Sequence, residues 1–175
     1  MNIRKATKDD AKGIAKVHVD SWRTTYKGII SEEFLNNLSY EQRTELWIRN
    51  LSQTENYVIV AENSEGEIVG FAVFAKRETN TVSNSTDLTS IYLLEEYQGK
   101  GIGKALLKEL FSQIKQQGYE KVFVDVLDKN KTCAFYEHYG AKLYKTVQIK
   151  IGGKPLVERI YVWDNVEAVL DRLNH

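Results

Sequence analysis

Between Gln98 and Lys104 the chain reads Gln98-Gly99-Lys100-Gly101-Ile102-Gly103-Lys104, with a further lysine at 108 and no acidic residue from 98 to 108. Glycines allow unusual dihedrals and a close approach of the backbone to a ligand. Where such a turn opens a helix, unpaired N–H groups and the positive end of the helix dipole together bind phosphate. The implied ligand is an anion. Two familiar phosphate loops do not fit it. A Walker loop needs Ser or Thr after its Gly-Lys, yet Ala105 follows Lys104, and Gln98 stands where its first glycine belongs. The dinucleotide pattern fails as well, because its last glycine falls on Lys104 or Leu106 according to the starting point.

The elements that must position this turn follow from periodicity. A strand is predicted over Leu88–Leu93, a helix over about 101–117 ending at Gly118, and a strand over Lys121–Leu127. Together they form a βαβ unit with a parallel crossover. Upstream, strand 2–6 leads into a helix whose one face carries Ala11, Ile14, His18, Trp22 and Tyr26. Ser31 and Ser39 suit the caps of two further helices. Strands 57–61 and 68–75 make a hairpin, and the polar run 78–87 reads as a surface loop. Downstream come a short helix 131–139, two strands flanking Gly152-Gly153 and a helix from about Val166. The expected fold is α/β: a mixed, mostly antiparallel central sheet with helices on both faces around a parallel βαβ unit, in a single domain spanning 1–175.

Composition bounds the function. In 175 residues, 24 Lys and Arg balance 24 Asp and Glu, so no molecule-wide field attracts nucleic acid. No apolar run approaches a membrane span and no signal peptide is evident, so a cytoplasmic protein is expected. The single cysteine precludes an internal disulfide, and three scattered histidines offer no metal-ligand spacing, so no metal is expected. The oligomeric state is not fixed by the sequence, with a homodimer compatible with it.

Gln98-x-x-Gly101-x-Gly103 resembles the signature of the GNAT superfamily of N-acetyltransferases. Ile91-Tyr92-Leu93 is similar to that superfamily's central strand, and Asn130 with Phe135-Tyr136-Glu137 and Gly140 to its second motif. Asn130 and Tyr136 are six residues apart, where many relatives have seven. Ser21-Trp22-Arg23, Tyr26 and the closing Gly152-Gly153, Glu158, Tyr161 and Trp163 look like one bacterial branch. The resemblance spans nearly the whole chain.

The resemblance implies acetyl-coenzyme A as cosubstrate, without a metal. Backbone amides from Gly99 to Lys104 (Gly99, Lys100, Gly101, Ile102, Gly103, Lys104) would hold the pyrophosphate, with Gln98 at the head of the turn. The edge of Ile91, Tyr92 and Leu93 would pair with the pantetheine arm, much as a peptide augments a sheet. Asn130 and Phe135 would close the other side of the thioester. Aminolysis requires the acceptor ammonium to lose a proton and the leaving thiolate to gain one. Tyr136, at the family's position, is the general-acid candidate. Asp87 occupies the family's acidic position before the central strand and is the base candidate, with Glu62 a second choice. A central-strand N–H would serve as oxyanion donor. The acceptor is expected to be a small-molecule, amino-acid, peptide or protein amine, attacking directly in a ternary complex.

Other residues carry blander readings. Cys133 has no histidine within four residues of it in sequence, which favours packing over an acyl-cysteine. The stripe of His18, Trp22 and Tyr26 reads as core, or, by the resemblance, as acceptor-pocket wall at Trp22 and Tyr26. A non-catalytic acyl-coenzyme A sensor or partner-recognition module is the alternative function, and a nucleotide is the alternative ligand.

Overall fold

A computed structural model describes residues 1–175. Its strands are β1 (Asn2–Lys5), β2 (Tyr57–Glu62), β3 (Ile68–Phe74), β4 (Ser85–Leu93), β5 (Lys121–Leu127), β6 (Lys142–Ile151) and β7 (Lys154–Trp163). Its helices are α1 (Ala11–Thr25), α2 (Glu32–Asn36), α3 (Tyr40–Ser52), α4 (Ile102–Gln116), α5 (Thr132–His138) and α6 (Val166–Leu173). The strands form one seven-stranded sheet in the order β1-β2-β3-β4-β5-β7-β6. Only β4 and β5 run parallel, joined through α4; the other neighbours are antiparallel. The expected α/β architecture is what the chain adopts.

Helix starts follow local chemistry. Ser31 Oγ accepts from the Phe34 amide and Ser39 Oγ from the Gln42 amide, so each serine satisfies a donor that its helix leaves unpaired. The strands alternate so that successive residues serve opposite layers. On β3, Phe71 packs edge-on to Trp47 of α3, and a Cβ at neighbouring Gly70 would lie 3.4 Å from Leu106 of α4. Helices α1 and α3 therefore cover one face and α4 the other. A core of 33 buried residues lies between these layers. A smaller cluster of six, including Tyr26, Ile30, Leu35 and Leu127, sits where α1 and α2 meet the end of β5.

Two features set up the site. First, β4 begins at Ser85 rather than at the predicted Leu88. Ser85, Thr86 and Asp87 are polar and read as loop, but they pair with Lys121, Val122 and Phe123 of β5 and are buried. Secondly, that pairing ends at Leu88 and Val124, although β4 continues to Leu93 and β5 to Leu127. From Thr89 onward the strands part, leaving an unpaired edge of β4 facing a cleft. The hairpin of β6 and β7 leans over the same end, with Gly152 against Phe34 of α2 and Lys154 Nζ donating to the Ile29 carbonyl at 2.8 Å.

Candidate active site

The cleft between the parted strands has a volume of about 650 Å³. Ile91, Tyr92 and Leu93 line one wall, and Gln98, Gly99, Gly101, Gly103 and Lys104 extend it to the start of α4. Asn130 and Phe135 lie on the opposing wall. Gly99 and Gly101 have φ of 72° and 83°, the left-handed region that glycine enters without a Cβ penalty. Gly101 is the N-cap of α4, so the following amides open toward the cleft without side-chain capping. Gly103 is different: a Cβ there would make only ordinary contact with the Phe135 ring, at 3.7 Å, so neither space nor backbone conformation demands glycine. The α4 turn therefore has the shape an anionic diphosphate requires.

Some expected contacts take other forms. Gln98 Nε2 donates to the Leu93 carbonyl at 3.1 Å, tying the turn to β4 and occupying an acceptor expected to be free for a ligand. Lys100 lies outside the cleft lining, its Nζ 5.5 Å from the Tyr97 ring centre. Ile102 is buried in the core, so only its backbone is available to a ligand. Asn130 Nδ2 donates to Tyr26 Oη at 3.3 Å while its Oδ1 accepts from the Thr132 amide and hydroxyl. The Asn130 oxygen is thereby committed to protein partners, while Nδ2 gives one of its two hydrogens to Tyr26. Lys27, Lys129 and Lys131 also line the cleft, cations that no glycine motif announced.

Tyr136 packs edge-on to Tyr161 and Trp163 and is 4% exposed. Its hydroxyl has no hydrogen-bond partner, and the fully enclosed polar atoms without partners are Trp22 Nε1 and Thr86 Oγ1 alone. The ring is held on α5, and Tyr136 itself is not among the residues that line the cleft. Burial, with the Tyr26 phenol and the Cys133 thiol nearby, pushes its pKa far up and keeps it protonated. Tyr26 and Tyr92 are shifted the same way, chiefly by burial. Their hydroxyls lie 2.8 Å apart.

The expected base, Asp87, is engaged by other partners. Asp87 lies inside β4, is 5% exposed and does not line the cleft. Its carboxylate accepts from the Arg77 amide and Asn80 Nδ2, each at 3.0 Å, and so holds the β3–β4 loop. Glu62 stands on β2 beside Arg4 and Asn2, which lower its pKa. Sequence reasoning passed over Glu158 as a chemical group, although it noted that position as part of the resemblance. Glu158 pairs with Leu127 at the end of β5 and is half-buried. Burial, with Asp125 alongside, raises its pKa, while Arg77 opposes the rise.

Along α1, His18 stacks on Tyr92 with planes 13° apart, and its Nδ1 accepts from Trp47 Nε1 at 3.1 Å. Burial lowers its pKa to about 4, so the imidazole is neutral and serves as packing. Trp22 and Tyr26 stand beside Tyr92, with Tyr26 5% exposed and neither residue lining the cleft, so the stripe packs as core behind the cleft-lining Tyr92. Cys133 is buried, its Sγ donates to the Leu127 carbonyl at 3.4 Å, and burial raises its pKa, all of which fits packing.

The model of the GNAT acetyltransferase family matches residues 18–141. The chain is 36% identical to the uncharacterized N-acetyltransferase YuaI of Bacillus subtilis (strain 168), with 99% of both chains covered. It is 31% identical to the spermidine N(1)-acetyltransferase of Thermoplasma acidophilum, over 83% of this chain and 91% of that one. Among solved structures, the PaiA N-acetyltransferase of Thermoplasma acidophilum in complex with coenzyme A superposes with a TM-score of 0.68. It is 27% identical and covers 90% of this chain and 96% of its own. A glycine turn shaped for a diphosphate beside an unpaired strand edge thus has its counterpart in a family that uses acyl-coenzyme A. This chain belongs to the GNAT family of N-acetyltransferases.

Proposed function

We propose that the protein transfers the acetyl group of acetyl-coenzyme A to a small cationic amine of the polyamine class, by direct attack in a ternary complex. The observation that carries the transfer is the meeting, in one cleft, of the left-handed glycine turn and the free β4 edge, with the protonated Tyr136 phenol on α5 next to the cleft-lining Phe135. Amides of residues 99–104 hold the diphosphate, and the β4 edge pairs with the pantetheine arm. Tyr136 donates its proton to the departing thiolate. Glu158, a carboxylate with a raised pKa near the Tyr26 phenol, takes the proton of the acceptor ammonium.

The acceptor class follows from the surroundings of that carboxylate. Trp22, Tyr26 and Phe34 present ring faces and edges, and Glu158 with Asp125 supplies negative charge beside Arg77. Aromatic rings and carboxylates favour a cation. The similarity to a spermidine N(1)-acetyltransferase points the same way.

Two measurements test the reading. Coenzyme A at about 100 times its Kd should stabilise the fold by about 2.7 kcal/mol, read as a raised Tm. Turnover, followed by thiol release, should be higher with spermidine and spermine than with neutral amino acids or an N-terminal alanine peptide. The absence of any coenzyme A shift would sink the transferase reading. Preference for the peptide or for neutral amines would sink the acceptor class alone.

A further inference from the structure

The cleft lining carries positive charge that the glycine turn does not account for. Lys27, Lys104, Lys129 and Lys131 line it against a single carboxylate, Glu95, in a chain whose charges balance. None of these lysines enters any ion pair of the fold. The turn meets a diphosphate with backbone N–H groups, which requires no lysine on the facing wall. Yet Lys129 and Lys131 stand there, exposed on either side of buried Asn130. The loop that carries them is fixed. The Asn130 amide donates to the Leu127 carbonyl at 2.9 Å, and Asn130 Oδ1 accepts from the Thr132 amide at 2.9 Å and its hydroxyl at 2.6 Å. Like charges gathered in one cleft repel, and an anion among them removes that cost.

The aromatic residues nearby fit the nucleotide end of a ligand. Lys131, Phe135 and Tyr139 recur at intervals of four from the N-cap of α5 to its C-cap, and all line the cleft. The Phe135 and Tyr139 rings pack edge-on with centres 5.2 Å apart. A Cβ at Gly103, inside the turn, would be 3.7 Å from the Phe135 ring, so that ring borders the diphosphate position. An aromatic surface there suits a base joined to the diphosphate through a sugar. Lys104 is the third residue of α4 and lines the cleft from the turn's own side. The acceptor cannot be what these lysines attract, because the proposed amine is itself a cation and they repel it.

We propose that Lys129 and Lys131, with Lys104 across the cleft, form a second anion subsite that takes the ribose 3′-phosphate of the cosubstrate, an assignment that rests on the transferase reading. A phosphate monoester carries about −1.5 to −2 charge at neutral pH and three strong acceptor oxygens. Lysine meets it as a point charge with three donors. The cleft therefore reads two anions of one ligand by different means, the diphosphate with backbone and the monoester with side chains. No bond to the monoester changes during transfer, and the group is remote from the thioester. The subsite therefore acts on affinity and on the choice of cosubstrate, and leaves the chemical step alone.

The probe is 3′-dephospho-coenzyme A, which differs from coenzyme A by that one group, with both affinities measured by calorimetry on the intact protein. The unmodified chain should bind coenzyme A about 10- to 100-fold more tightly, the scale of one or two charge-assisted hydrogen bonds. Lys129→Ala with Lys131→Ala should weaken coenzyme A about tenfold and leave the dephospho form within about twofold. Lys104→Ala should act in the same direction by about threefold, and kcat at saturating acetyl-coenzyme A should hold in all of these variants. Lys108→Ala, exposed and outside the cleft lining, should change neither affinity. Equal binding of the two ligands by the unmodified chain would overturn the subsite and leave the transferase reading standing. A double variant that keeps the full preference would also overturn it, as would one that loses both ligands alike, which marks a contact to the diphosphate. A chain that binds neither ligand sinks the transferase reading and the subsite with it.

Discussion

The two walls of the cleft are built from different materials. The β4–α4 wall is made of backbone: an unpaired strand edge, two left-handed glycines and the open amides of a helix start. The facing wall, from the end of α1, the β5–α5 loop and α5, is made of side chains, among them Lys27, Asn130 and Phe135, with Tyr26 bonded to Asn130 and Tyr136 packed on Phe135. A backbone wall suits a ligand that never changes, because nearly any side chain leaves its geometry intact. A side-chain wall can be retuned one residue at a time, which suits the acceptor and the proton transfers.

That contrast can be broken by substitution, the largest effect first. Tyr136→Phe should lower kcat by about 10²–10⁴ with the KM for acetyl-coenzyme A nearly unchanged, the range for a lost general acid. Retained turnover would move the acid elsewhere. Glu158→Gln should lower kcat about 100-fold and remove the acidic limb of the pH–rate profile. Because its carboxyl titrates above the ordinary range, that limb should lie at higher pH than for a free glutamate, with activity rising as Glu158 loses its proton. Asp125, Arg77 and the Tyr26 phenol face the same carboxylate, so Asp125→Asn should shift the limb to lower pH.

On the backbone wall the signature should reverse. Gly101→Val has open space for its side chain but must hold φ at 83°, which costs about 1–2 kcal/mol for a residue with a Cβ. Coenzyme A affinity should fall about tenfold while kcat at saturation changes little. Asp87→Asn gives the smallest effect: turnover within about twofold and stability lower by about 1 kcal/mol, since an amide weakens the hold on the Arg77 amide and Asn80. A collapse of kcat there would restore Asp87 as the base.

The same division explains what could be read in advance. Backbone demands leave strong marks: a left-handed φ at the mouth of a helix requires glycine, so Gly99 and Gly101 announced the anion turn. The periodicity of α1, α4 and the central strands likewise fixed the sheet and its helices. Partnerships between distant side chains leave no such mark. Nothing in the polar run ending at Asp87 told that Ser85 and Thr86 are buried, because that depends on β5 pairing from over thirty residues away. Nor could spacing reveal that Tyr26 and Tyr92, 66 residues apart, share a hydrogen bond, or that Asn130 is spent on holding one of them. Glu158 was visible only as a letter in a pattern, since its raised pKa comes from burial and from Asp125 on another strand.

The parting of β4 from β5 has a mechanical consequence. The sheet is continuous through this seam only from Ser85 to Leu88, so β1–β4 and β5–β7 behave as two leaves joined along part of one margin. On the proposed binding mode, a pantetheine arm laid along Ile91–Leu93 would complete the spine as an eighth strand made of something other than protein. Amide hydrogen exchange should therefore be fastest beside the gap in the free protein and slow there on loading, stiffening the molecule along the one line where its own chain leaves the weave open.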